Sequence, residues 1–417
     1  MAYAAFILVL LSAVGFFNYH NLVSETVTKL LFLTAVTGAA AVAWIQQRKT
    51  NERLDYPRTA WLMIMCGVAV SILMVSYYHP QSIFVSIVTT LPILFAFFTF
   101  WIYVKFNFPI ENTIKVFMGL AAISSIVFFC NTLTLPNNMF GKPMLDLDES
   151  RGIIRVVLPF AELFPVLIFY VINRWLEDKN AKWIFLGSFL LLMVVLTVTR
   201  QLILYTLLLS AIFILRKTSW KIKALICAGA VAIVAFVLPM IPIYNTMMEL
   251  SEDQIDKSET EEEDVRIQAW RFYTYENQTG MLTPILGNGI PAQNKSIWGI
   301  AFDAETDERG LFYVDVGWAG FYWLYGAVAL IGLIWLMVAA LVREKPENMQ
   351  FLNYSVVFYM LLPIASGPIC YFFQITVLMA VFSMAFTCKA DEPAACELEE
   401  KETESYKSLL PRFPQLR

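Results

Sequence analysis

Stretches of about eighteen or more residues almost free of charge recur from one end of this chain to the other, and that feature constrains the fold most. An α-helix of about 20 apolar residues crosses a hydrocarbon layer of ~30 Å. Only a bilayer gives so many such helices apolar surroundings. Over 417 residues, 58% are hydrophobic and 15% charged, with a mean hydropathy of +0.62. These values exclude an ordinary soluble enzyme. The expected fold class is an all-α polytopic membrane protein. About twelve helices are expected, near 2–17, 27–45, 60–77, 82–104, 113–130, 153–172, 183–198, 201–215, 224–241, 316–341, 350–366 and 369–387. The expected organisation is nine helices over 1–241, one large external loop over 242–315, three helices over 316–388, and an acidic tail over 389–417.

The short connections alternate in charge. One set carries Arg48, Lys49, Arg53, Arg58, Lys105, Lys115, Arg174, Lys179, Lys182, Arg216, Lys217, Lys221, Lys223, Arg343 and Lys345; the other only Lys29, Lys142, Arg151 and Arg200. Cations collect on the cytoplasmic side of membrane proteins, so both termini are expected there. The N-terminal apolar stretch lacks a basic leader and reads as a retained first helix. The cysteines, mostly inside apolar runs (Cys66, Cys130, Cys227, Cys370), read as small core hydrophobes. No Walker-type loop, HExxH or GxGxxG after a strand occurs, and the histidines are only His20 and His79. ATP hydrolysis and a histidine-bound metal are not expected.

Arg200 interrupts LLLMVVLTVTRQLILYTLLL. Reading 183–215 as one crossing would move the basic KTSWKIK loop to the wrong side, so two short helices are expected. Together they rise only about 50 Å, against about 60 Å for two full crossings. The tip Thr199-Arg200-Gln201 should then lie slightly below the outer surface. An arginine there either snorkels to headgroups or faces an outward cavity and holds an anion.

In LDLDESRGIIRVVLPFAELFP, an early helix start would put Arg151, Arg155 and Glu162 on one face, with Glu162 about two turns deep between Pro159 and Pro165. Glu162 is either a functional carboxylate or an ion-pair partner of Arg155 or Arg200. The external loop opens acidic and aromatic-poor, which reads as a solvated face. From Arg266 onward it mixes aromatic, glycine and polar residues. Arg266 and Trp270, four apart, fit a short amphipathic helix at the membrane face. Pro284, Gly287 and Gly289 mark a sharp turn. Asp315 stands at the outer mouth of the 316–341 helix, whose Gly317, Gly320 and Gly326 suit close helix packing. Trp270, Tyr273 and Trp298 are either glycan-stacking residues or interface anchors. Arg151, Arg155, Arg200, Arg266, Arg271 and Arg309 thus gather outside against the general bias, and arginine suits bidentate phosphate recognition.

Taken together, about twelve spans, Thr197-Val198-Thr199-Arg200, the R-x-x-x-W…P-x-L-G-x-G pattern (Arg266, Trp270, Pro284, Leu286, Gly287, Gly289), Asp315 and Tyr325-Gly326 resemble the O-antigen polymerase and O-antigen ligase superfamily of bacterial integral-membrane glycosyltransferases. The likeness covers most of 110–330. Ligases of that superfamily carry a histidine near the position of Asp315, which favours the polymerase side. The resemblance implies a fold related to the GT-C glycosyltransferases, no metal and no cofactor. It implies undecaprenyl-diphosphate-linked oligosaccharides as donor and acceptor, at the periplasmic face of the bacterial inner membrane. Under it Asp315, Glu162, Arg200 and Arg266 are catalytic, and Arg151, Arg155, Arg271 and Trp270 bind diphosphate or glycan. Membrane lipids and a chain-length regulator are the further partners, and nucleic acid is not one. The rival classes are a flippase or exporter of lipid-linked glycan, which should show internal repeats, and a non-catalytic assembly partner acting through the acidic tail.

Overall fold

The computed structural model describes residues 1–18, 23–47, 56–134, 146–148, 153–155, 158–217, 264–367 and 369–388. Arg151, His20, Cys227, the expected helix 224–241, the acidic start of the external loop and the tail 389–417 lie outside the described residues. In chain order the helices are α1 (Ala2–Ala13), α2 (Glu25–Gln47), α3 (Arg58–Tyr78), α4 (Ile83–Phe106) and α5 (Ile110–Leu133). A two-stranded antiparallel ribbon follows, β1 (Asp146–Asp148) and β2 (Ile153–Arg155), with Leu147 opposite Ile154. Then come α6 (Leu163–Asp178), α7 (Ala181–Leu196), α8 (Arg200–Lys217), α9 (Val265–Arg271), α10 (Thr283–Leu286), α11 (Ile297–Arg309), α12 (Gly317–Val342), α13 (Phe351–Leu361) and α14 (Phe372–Thr387).

Local chemistry sets the boundaries. Ser82 caps α4 by accepting from the Val85 N–H, and Asn180 caps α7 through the Lys182 N–H. Asn107 and Lys179 close α4 and α6 in the left-handed conformation, so the chain reverses at once. Between α7 and α8 the reversal needs only Thr197-Val198-Thr199, with Val198 at φ 54°.

Among the described residues five helices are long and apolar enough to cross a bilayer: α2, α3, α4, α5 and α12. The chain is a helical membrane protein. Around this long set stand shorter helices of 16 residues (α6, α7, α14), 18 (α8) and 11 (α13). At 1.5 Å per residue these rise about 17–27 Å, short of a ~30 Å core. The short helices pack on one another, α6 against α7, α8 and α13, and α13 against α14, forming one contiguous sector. The long helices α3, α4 and α12 form the opposing wall, with α14 against α4 at the seam.

Helix ends sort into two faces. Asn112 donates to the Tyr3 hydroxyl at 3.2 Å and Asn173 to the Asn348 carbonyl at 2.9 Å. Tyr56, Phe100 and Phe386 contact edge-on in series, with Arg343 over Phe386 at 5.9 Å. The N-terminus, the 105–115 connection, Arg58, Arg174 and Arg343 therefore share a basic face. Contacts of His79, Gln81, Trp270 and Gly317 with residues 279–296 and 364–366 define the opposite face.

Three expectations are corrected. The helix expected over 153–172 begins at Leu163, ten residues late, because the β-branched run Ile153-Ile154 pairs as a strand and Pro159 blocks helical continuation. Arg155 is therefore on a ribbon, not on a helix face shared with Glu162. The helix expected over 350–366 ends at Leu361 and tightens into a 3₁₀ turn at Leu362–Ile364, where Pro363 removes a donor. Cysteines are not uniformly core: Cys370 and Cys388 are buried, but Cys66 is exposed.

Candidate functional site

The two halves of the glycine motif meet. Gly326 sits at φ 76° inside α12 and breaks its hydrogen-bond ladder, leaving upstream carbonyls without helical partners. The 284–289 turn supplies them: Asn288 N–H donates to the Trp323 carbonyl and Gly289 N–H to the Leu324 carbonyl, both at 2.8 Å. A Cβ at Gly287 would collide with the Leu324 carbonyl, and one at Gly326 with the Ile285 carbonyl. Pro284, Leu286, Gly287, Gly289, Tyr325 and Gly326 are therefore a splice between the 264–315 segment and the bundle. Gly317 and Gly320 admit equally close backbone, at Ser366 and Tyr313.

That splice carries α9 to the break between α13 and α14. Asp264 caps α9 by accepting from the Arg266 N–H, so the expected amphipathic helix forms. Trp270, one turn beyond Arg266 on the same face, donates its indole N–H to the Ile364 carbonyl at 3.3 Å. Arg271 falls on a different face. Gly317 N–H bonds the Ser366 carbonyl, which holds Asp315 beside the same 362–367 break. Partial desolvation pushes the Asp315 carboxyl above its ordinary range, and the Arg266 charge opposes that shift. Arg266 and Asp315 are thus electrostatic neighbours.

Arg200 approaches from the other side of the break. Phe213 of α8 stacks on Tyr354 of α13 at 4.1 Å, and α8 also packs against the Leu362–Ile364 turn. The helices run antiparallel, so the Arg200 end of α8 reaches residues 362–364. The half-buried Arg200 opens α8, where the helix dipole already supplies positive potential. A helix N-terminus and an arginine together suit an anion.

Glu162 is the N-cap of α6. Gln374 donates to its carboxylate, and the Tyr359 hydroxyl donates to its backbone carbonyl at 3.0 Å. Gln374 is thus a partner of the Glu162 carboxylate. Eleven residues separate Glu162 from Asn173 at the basic face, so Glu162 stands about 16 Å along the bundle from that face.

Other residues take structural parts. Arg309 is engaged by Glu305 at 3.4 Å, Glu276 at 3.8 Å and the Phe272 ring at 4.9 Å. Tyr273 is fully buried, bonding the Leu311 carbonyl, so it neither stacks glycans nor anchors at the interface. Trp298 stacks on His79 at 3.8 Å and belongs to an internal ladder with Phe302 and Trp323. Burial pushes His79 down to about 4, so it is neutral.

Sequence reasoning missed Gln81, whose buried amide uses every valence: it donates to Ile290 O and Ser86 Oγ and accepts from Ala292 N and Ser296 Oγ. A lone glutamine after His79-Pro80 gives no signal, because three of its four partners lie some 210 residues away. A cavity of about 540 Å³ lined by residues including Arg343, Lys345 and Asn353 opens on the basic face, away from this constellation. Lys345 at its edge spends its donors on Ala340, Arg343 and Asn353. No group of histidine, cysteine and acidic side chains suited to a metal occurs among the described residues. No known family model matches the chain, and no curated protein matches it.

Proposed function

We propose that the protein is a membrane glycosyltransferase of about twelve spans, related to the GT-C fold. It polymerises polyprenyl-diphosphate-linked oligosaccharide repeats at the outer leaflet of the bacterial inner membrane, with both termini cytoplasmic. The observation that carries this reading is the convergence of Arg266, Asp315 and the Arg200 end of α8 on the 362–367 break.

In this reading Asp315 accepts the proton of the acceptor sugar hydroxyl. The hydroxyl oxygen forms the new bond to the donor's anomeric carbon while the bond from that carbon to the diphosphate breaks. The diphosphate leaves with the electron pair. Arg266 and Arg200 meet the charge that develops on it, with Arg151, Arg155 and Arg271 as further phosphate contacts. Donors fixed in advance where charge develops contribute several kcal/mol. Desolvation raises the Asp315 pKa and so strengthens it as a base, and the Arg266 charge opposes that rise. Glu162, deeper and held by Gln374, is the second candidate base. Trp270 fixes α9 at the break.

The test is the surface-glycan ladder of cells lacking the protein, complemented with wild type, Arg200→Ala, Arg266→Ala or Asp315→Asn. Each variant should be retained in the membrane and lose long chains, with activity down about 10²–10³-fold for an arginine. Single repeats should still reach their final acceptor. Loss of every attached repeat with accumulation of lipid-linked polymer would mean a ligase, and an unchanged ladder would return the exporter.

A further inference from the structure

The 264–315 stretch reads as external from its sequence, yet its depth along the bundle contradicts that for one turn. Arg58 and Arg343 mark one level of the basic face, through the Tyr56–Phe100–Phe386 series and Arg343 over Phe386. On α3, Gly289 lies so close to Ser71 and Val75 that a Cβ would collide with both. Thirteen and seventeen residues from Arg58, these sit about 20 and 25 Å above that level. On α12, Gly326 meets Ile285 and Gly287, and seventeen residues separate it from Arg343, again about 25 Å. Helix tilt only shortens these rises. Both rulers put Ile285, Gly287 and Gly289 below the far boundary of a ~30 Å hydrocarbon layer, with Gly280, against Tyr78 twenty residues from Arg58, at that boundary.

Non-helical backbone persists at that depth only when protein satisfies its polar groups. Here it does. Leu286 and Gly287 N–H bond back to Leu282 and Thr283, and Asn288 and Gly289 N–H fill the carbonyls released at Gly326. The Asn288 amide is closed by Thr279, Gln278 and Trp323. The outward edge is apolar: Met281 is 94% exposed, with Leu282 and Ile285 about half exposed. Gly280 abuts the Tyr78 ring, so this edge continues the exposed apolar surface of Tyr77, Ile83 and Phe84 at the ends of two spanning helices. We propose that residues 281–289 are a re-entrant turn whose edge, Met281, Leu282 and Ile285, is seated in the acyl chains of the leaflet opposite the basic face. Continuity with the lipid-facing helix ends selects lipid as the occupant.

This inference is independent of the glycosyltransferase reading. The test uses the full wild-type chain in nanodiscs of phosphatidylethanolamine and phosphatidylglycerol doped with a phospholipid carrying a diazirine on its acyl chain. After photolysis, adducts are mapped by peptide mass spectrometry. Labelling of 281–285 should match that of 83–88, whose Ile83, Phe84 and Val88 are exposed on α4. The polar stretch 303–309 should stay unlabelled. Labelling of 281–285 no higher than that of 303–309 overturns the proposal. A water-soluble carbene reagent run in parallel then tells whether solvent or a second protein covers the edge instead.

Discussion

The long-helix wall and the short-helix sector solve the same problem differently. In the wall, α3 and α12 cross fully and approach until backbone touches backbone, with Gly67 against Ala329 and Gly332 against Ala60. Polar groups there close on each other: Gln81 spends all four valences, and Asn288 ties the Gly326 break to the 278–289 loop. In the short sector α6, α8, α13 and α14 begin or end before the bilayer does, and non-helical chain fills the remainder. Arg200, Glu162 and Gln374 collect at those early ends. A helix that crosses fully needs no partner at its tip. One that stops short leaves orphan N–H or C=O groups at depth, and polar residues collect where those groups require them.

The contrast breaks most sharply at the glycines. Gly287→Val and Gly326→Val each place a branched side chain at φ 84° or 76° and into a neighbouring carbonyl. Strain plus collision should destabilise the wall by about 4 kcal/mol or more, read as loss of folded protein in a detergent thermal scan. Glu162→Gln, which can still meet the Gln374 amide, should cost about 1 kcal/mol or less in the same scan. Equal losses in the two regions would erase the distinction between a packed wall and a site-bearing sector.

A smaller effect separates the regions by pH. His79 sits at the end of the wall opposite the basic face, stacked on Trp298 and bonded to Thr279. Its pKa falls from an ordinary 6.5 to about 4 on folding, because burial disfavours the imidazolium. The unfolded chain therefore binds more protons between those values, and stability rises with pH across that window. Lowering the pH from about 6.5 to about 4 should remove roughly 2–3 kcal/mol, visible as a falling melting temperature. In His79→Gln that dependence should flatten. A wild-type midpoint constant across the window would mean that the stacked histidine is not held neutral.

How much of this could be read in advance follows the same division. Hydropathy locates the wall helices within a few residues, because apolar length is what a spanning helix requires. The Arg200 hairpin is legible from length and charge alternation. The start of α6 is not: Arg151, Arg155 and Glu162 have helical spacing, and that periodicity masks the local signals of Gly152, Ile153-Ile154 and Pro159. Tyr273 and Trp298 look like surface aromatics, but their partners Leu311, His79 and Trp323 are brought up by the Gly326 splice, which no local pattern reveals. Gln374, the partner of Glu162, is a single amide in an apolar run over 200 residues away.

The subtlest expectation concerns the electrostatics where the two regions meet. Asp315 lies ahead of α12, outside the spanning segment, and desolvation raises its pKa while Arg266 lowers it. Arg266→Gln removes the opposing charge, so the carboxyl should move further up. The shift is read by difference infrared spectroscopy as the titrating carboxyl band absent from Asp315→Asn. Because the folded value is raised, the stability tied to this group is full below its unfolded pKa and is lost as pH rises through the folded one. Activity runs the other way: a base works only when ionised, so the acid limb of any activity Arg266→Gln retains should move to higher pH. Arg266→Lys keeps the charge and should leave the limb near its wild-type position while losing the planar fork that grips phosphate. If Arg266→Gln leaves the Asp315 band where it was, the two residues do not form one electrostatic unit and the proposed division of labour between them fails.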